Sequence, residues 1–101
     1  MSSRRRLTLT DQARADFEDI LLHSQTTWGV RQKDAYKRLI DQALKRIARF
    51  PELGRRREDL GVDVRGYPAG RHLIVYRLES NGVTVVRLTH QRMDPDAIFG
   101  E

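Results

Sequence analysis

Two runs rich in Val, Ile, Leu and Tyr flank the dipeptide Asn81-Gly82 in the last third of the chain, between Gly70 and Asp94. No other feature limits the fold as much. Asn-Gly readily takes the positive φ angles needed at both centres of a type I′ turn, so the segment predicts a β-hairpin. With Asn81 and Gly82 as its loop, Ser80 pairs with Val83, Tyr76 with Arg87, Leu73 with His90 and His72 with Gln91. One face then carries Ile74, Tyr76, Leu78, Val83 and Val85, with Arg87 and Thr89. The other carries Leu73, Val75, Val86 and Leu88, with Arg71, His90 and Arg92 at its open end. A hairpin with one face in water alternates apolar and polar residues; here both faces are substantially apolar, so each needs cover.

The preceding residues supply cover for one of them. Arg4 to Leu9 ends in alternation and reads as a short strand, followed by Thr10 as helix N-cap and Asp11 in a favourable first-turn position. Ala13, Phe17, Ile20, Leu21, Ser24 and Trp28 recur at helical spacing, with Trp28 expected to anchor the junction to a second helix and Gly29 to end the first. That second helix runs from about Val30 to Arg49 and buries Tyr36, Leu39, Ile40, Ala43, Leu44, Ile47 and Phe50, stopping before Pro51. Residues 51–61 read as a loop and Val64 to Tyr67 as a short strand closed by Pro68 and Gly70. The order is β-α-α-β-β-β, an α+β domain with a helical hairpin on a small, mainly antiparallel sheet, and Leu7 to Leu9 is expected to pair with one strand of the β-hairpin. Two helices cover one face only, and an apolar patch left bare and rimmed by charge marks a binding site for another chain.

Length and charge narrow the function classes. The 101 residues suit a single domain with one modest core, and the tail 95–101 is expected to be ordered only through contacts. No apolar run is long enough to span a bilayer, and Arg4-Arg5-Arg6 lacks the apolar stretch that follows the basic start of a secretory signal, so the expected location is the cytoplasm. With no cysteine, disulfides and thiolate chemistry are excluded. His72 and His90 point to opposite faces in the register above, with no Cys or carboxylate at ligand spacing, and neither a metal nor a cofactor is expected. The net charge of +5 favours acidic partners. Arg55-Arg56-Arg57 beside Glu58-Asp59 reads as a solvated loop, and no helix-turn-helix or zinc finger accompanies the charge, which argues against sequence-specific nucleic-acid binding.

Several short motifs in order carry a family likeness. Trp28-Gly29-Val30, Phe50-Pro51-Glu52-Leu53-Gly54-Arg55, Arg65 with Tyr67-Pro68, Gly70 to Arg77 and Val86 to Asp94 resemble the ParE toxins of bacterial type II toxin-antitoxin modules over about Leu7 to Asp94. The resemblance implies a cytoplasmic toxin that binds and poisons DNA gyrase. It also implies a cognate ParD-like antitoxin, a ribbon-helix-helix dimer whose acidic and apolar C-terminal segment wraps the toxin. Leu73, Val75, Val86 and Leu88 are then the antitoxin-binding candidates, and Arg65, Arg71, His90 and Arg92 the target-binding candidates.

RelE-type toxins share that fold and cut messenger RNA on the ribosome, so the alternative reading is a ribosome-dependent endoribonuclease. Cleavage through a 2′-hydroxyl needs a group to take its proton and positive charge on the scissile phosphate. The strand of RelE-type nucleases that resembles His72 to Tyr76 carries an arginine where this chain has Leu73. A leucine does not steady a phosphorane, and an arginine displaced two residues along a strand moves its root by about 6 to 7 Å. The expectation is a binding protein rather than an enzyme, with no catalytic residues and with His90 as a strand-end or contact residue.

Overall fold

The computed structural model describes residues 6–91 of the chain. They begin in strand β1 (Arg6–Leu9) and pass through Thr10 into helix α1 (Asp11–Trp28). The Thr10 Oγ1 accepts the Ala13 N–H at 3.0 Å, satisfying one donor that a helix start leaves open. Gly29 alone separates α1 from α2 (Val30–Arg49); its φ of 98° suits a residue without Cβ, and its N–H closes α1 on the Gln25 carbonyl at 2.9 Å. α2 ends at Phe50, ahead of Pro51, as the proline requires. A 3-10 turn, Pro51–Leu53, leads to β2 (Arg55–Arg56), β3 (Val64–Ala69), β4 (His72–Glu79) and β5 (Gly82–His90).

The five strands form one sheet in the order β1-β5-β4-β3-β2. β1 runs parallel to β5, Leu7 beside Val83 and Leu9 beside Val85, so the expected pairing of the first strand with the hairpin is present. All other neighbours are antiparallel. The expected order holds, with the two-residue edge strand β2 added inside what reads as a loop.

The hairpin register differs from the expected one, for two physical reasons. Glu79 pairs with Gly82, so the loop is Ser80-Asn81, and neither residue nor Gly82 has a positive φ. Gly82 is glycine on account of space: a Cβ there would lie 2.4 Å from the backbone carbonyl oxygen of Arg6, and β1 would be pushed off β5. Further along, Tyr76 pairs with Val85 but Val75 pairs with Arg87, leaving Val86 as the extra residue of a β-bulge. Beyond the bulge the faces of β5 exchange. Leu73 therefore lies opposite Thr89 rather than His90, and His72 lies opposite His90 rather than Gln91.

One side of the sheet is packed under the helices. Ile40, Ala43, Leu44 and Ile47 of α2 form a stripe that meets Ala69, Ile74, Tyr76, Val83, Val85 and Leu88. Ile40 and Ile47 are fully buried, each worth about 1.5–3 kcal/mol of transfer free energy. Three residues expected inside lie outside: Leu39, Phe50 at 56% exposure and Trp28 at 54%. Trp28 and Phe50 sit at helix ends, Trp28 as the last residue of α1 and Phe50 as the C-cap of α2.

β1 ends opposite Val85, and downstream of that point β5 has no strand on its outer edge. α1 serves that edge instead. Thr10 donates its N–H to Val85 O at 3.0 Å and its hydroxyl to Val86 O at 3.2 Å, while Asp16 Oδ2 accepts the Leu88 N–H at 3.0 Å.

Candidate functional site

The side of the sheet turned away from the helices carries a groove of about 530 Å³. Its floor is Val64, Gly66 and Pro68 of β3, Leu73 and Val75 of β4, and Val86 at the bulge. The expected second apolar face is therefore real, although Leu60, from the loop after β2, packs over part of it. Four arginines line the groove, Arg55, Arg57, Arg77 and Arg87. Arg57 is held in a two-pronged pair with Asp59 at 3.0 and 2.8 Å, and that hydrogen bond raises the guanidinium pKa. Arg87 reaches Asp16 at 2.8 Å around the free edge of β5. Burial pushes the Asp16 carboxyl up, but Arg87, the Leu88 N–H and Gln12 together outweigh it and hold the group below its usual value.

Leu88, expected on this face, is only 4% exposed and belongs to the core beneath the helices, because the bulge turns it over. Leu73, Val75 and Val86 share the groove as expected. Arg65 faces the opposite side, where its Nη1 donates to the carbonyls of Glu52 at 3.2 Å and Gly54 at 2.8 Å and so fixes the 51–54 turn. The Tyr76 hydroxyl donates to Pro51 O at 2.6 Å and accepts the Gly54 N–H at 2.8 Å. Burial raises the pKa of that phenol. Arg92 and the tail 95–101 lie outside the described residues.

Arg71 and His90 do meet, at the open end of the hairpin, in a second cleft of about 400 Å³ between the sheet and the helical junction. His72 and His90 stand on one side of the sheet, ring centroids 5.1 Å apart and tilted 64°, contrary to the expectation that they diverge. The Tyr36 hydroxyl lies 2.6 Å from His72 Nδ1 and accepts the Arg71 N–H at 2.8 Å. Burial first, then the neighbouring His90, Arg71 and His23, lower the His72 pKa to about 4, so this ring is neutral at physiological pH. Among the described residues no group of three or more His, Cys, Asp or Glu side chains is placed to hold a metal ion, despite the three histidines at this end. Nor is any described helix long and apolar enough to cross a membrane.

Sequence reasoning missed this cleft because it depends on the bulge, which has no residue signature in a run of valines. Gly70 was its one visible signal. With φ of 61° and a Cβ position 2.7 Å from the Tyr36 ring, Gly70 lets the β3–β4 turn close onto the phenol.

Comparison with known proteins bears on the family. Residues 7–95 match the family model described as the ParE toxin of the type II toxin-antitoxin system, parDE. The chain is 38% identical over 97 residues to Toxin ParE1 of Mycobacterium tuberculosis H37Rv, covering 95% of this chain and 97% of that protein. It is 34% identical over 92 residues to Toxin ParE1 of Caulobacter vibrioides, covering 91% and 95% respectively. A solved structure described as the chromosomal ParDE TA system from P. aeruginosa superposes with a TM-score of 0.75 at 19% identity, over 88% of this chain and 98% of that one, and shares the fold. The likeness read from Leu7 to Asp94 is thereby confirmed over nearly the same span, and the chain belongs to the ParE toxin family of type II toxin-antitoxin systems.

Proposed function

We propose that this toxin acts by binding DNA gyrase and is held inactive by a ParD-like antitoxin, a ribbon-helix-helix dimer whose acidic, apolar C-terminal segment occupies the groove on the open side of the sheet. The observation that carries the antitoxin half is the floor of Leu73, Val75 and Val86 bordered by arginines. An amphipathic acidic segment buries its apolar residues on such a floor and meets positive charge at the edges. The name of the P. aeruginosa neighbour, a ParDE system, supports the pairing.

The gyrase half rests on family membership and on the chemistry the open face lacks. At the position where RelE-type nucleases hold an arginine stands Leu73, with Thr89 across from it and Val75 next on the same side. Arg87, which pairs with Val75 on that side, is bound to Asp16. Leu73 itself carries no charge for a phosphorane, and the arginines of the groove, Arg55, Arg57, Arg77 and Arg87, stand at other positions; this supports a mechanism of binding, with Arg71 and His90 as the surface contacts offered to the target. A supercoiling assay with purified toxin tests this: supercoiling falls with toxin and recovers on adding antitoxin. Unchanged gyrase activity at saturating toxin, or transcript cleavage on ribosomes that disappears in His90→Ala, would overturn it.

A further inference from the structure

The cleft between the helical junction and the open end of the hairpin has a composition unlike the groove on the other side. Its walls come from four elements: Asp19, Ile20, His23, Ser24 and Trp28 of α1, Gln32 and Tyr36 of α2, Arg71 of the β3–β4 turn with His72 of β4, and His90 of β5. At about 400 Å³ it falls within the range of roughly 300–1,000 Å³ typical of sites for small organic ligands.

Three features of the cleft select a ligand. The Trp28 indole is half exposed at its mouth, with the Arg71 guanidinium 5.5 Å from the ring centroid. Among the described residues, that guanidinium has neither a carboxylate nor a carbonyl partner; the indole is its contact. A cation so placed keeps its fork of donors available for an anion, while the indole offers a plate for a planar ring. The Tyr36 hydroxyl donates to Ala69 O at 3.3 Å and lies 2.6 Å from His72 Nδ1, which holds the imidazole in the cleft wall. His72 thereby adds an imidazole edge to the polar groups lining the cleft. Finally, Asp19, Ser24 and Gln32 place an acceptor, a hydroxyl and an amide around the same opening, groups that read the edges of a heterocycle or a sugar.

We propose that this cleft binds a mononucleotide unit, its phosphate held by Arg71 and its base stacked on Trp28. A bare phosphate would leave the indole unused, and an uncharged aromatic ring would leave Arg71 unused. The inference does not depend on the gyrase reading, since it rests on side chains of the toxin alone. A free nucleotide and a nucleotide at the end of a strand present the same chemistry.

Trp28 is the only tryptophan in the chain, so its fluorescence reports on this cleft alone. Full-length toxin would be titrated with AMP, GMP, CMP and UMP, with adenosine, with inorganic phosphate and with a 5′-phosphorylated dinucleotide. The expected result is saturable quenching by the purine monophosphates with Kd between about 10 μM and 1 mM, and affinities at least about tenfold weaker for adenosine and for phosphate. Competition by the dinucleotide at equal or lower concentration assigns the source to a nucleic-acid end; weaker competition assigns it to free nucleotide. Arg71→Ala, at an exposed turn position, should weaken binding about tenfold or more, with Arg71→Lys between it and the parent chain. Absence of saturable quenching up to about 5 mM nucleotide, or equal quenching in Arg71→Ala, overturns the proposal. Phosphate binding as tightly as GMP also overturns it, reducing the cleft to an anion site.

Discussion

His72 is the residue in which sequence, fold and solvent conditions meet most directly. Its ring is fixed by the Tyr36 hydroxyl at Nδ1 and the edge of His90, with Arg71 and His23 adding positive field, and burial leads these causes in lowering its pKa from 6.5 to about 4. The unfolded chain therefore takes up a proton on this side chain near pH 6.5 while the folded chain declines it until about pH 4, so the stability it contributes is full above 6.5 and lost as pH falls through that window. The shift corresponds to roughly 2–3 kcal/mol after allowance for its partial exposure. Urea unfolding at pH 7 and pH 4.5 should show His72→Asn losing that much less than the parent chain. Asp16 acts in a lower pH range. Its carboxyl sits below the usual 3.8, so its contribution persists above that value and disappears only at lower pH. Asp16→Ala orphans the Leu88 N–H and releases Arg87, and should cost about 2–4 kcal/mol at pH 7, measured by the same unfolding experiment.

At the scale of elements, the join between β1 and β5 is the most exacting. The Arg6 carbonyl oxygen lies 2.4 Å from where a Gly82 Cβ would stand, and that oxygen belongs to backbone, which cannot swing aside as a side-chain end can. Gly82→Ala should therefore cost about 1–3 kcal/mol. The loss should be local: amide hydrogen exchange should speed up in Leu7 to Leu9 while β3 and β4 keep their protection. The same glycine explains what was legible beforehand. Apolar periodicity revealed both helices, Thr10 and Pro51 marked their outer limits, and the hairpin was plain from its two apolar runs. Asn81-Gly82 suggested a type I′ turn, since a glycine's two uses, positive φ and close approach, look identical in a sequence. The bulge at Val86 was invisible for a related reason, because Val85 and Val86 are interchangeable by residue type and only the reach of Thr10 and Asp16 decides which one is extruded. One extruded residue was enough to move Leu88 into the core and bring His90 beside His72. It also carried the expected Leu73-to-His90 pairing away, leaving Thr89 opposite Leu73.

The described residues form a slab, 40 × 39 × 21 Å, whose thin dimension matches one layer of helices on one sheet. This shape leaves the β3–β5 groove open to another chain, on a protein with 19 basic and 14 acidic residues. If an acidic antitoxin segment docks there, charge governs its encounter more than its final affinity, because rim groups steer approach while the buried floor holds the partner. Arg55 and Arg77 test this, being exposed positions that line the groove, one on the edge strand β2 and the other on β4. Replacing both with Glu should leave thermal stability within about 1 kcal/mol of the parent, since surface substitutions rarely do more. The association rate with antitoxin, followed by stopped flow, should fall about tenfold or more at low ionic strength. Near 0.5 M salt the screening length shortens to a few ångströms, and parent and variant should converge to within about threefold. Val75→Glu should act in the other direction, raising the dissociation rate at every salt concentration because the floor and not the rim is changed. Association rates for Arg55→Glu/Arg77→Glu that match the parent at low salt would remove this groove from the antitoxin's path.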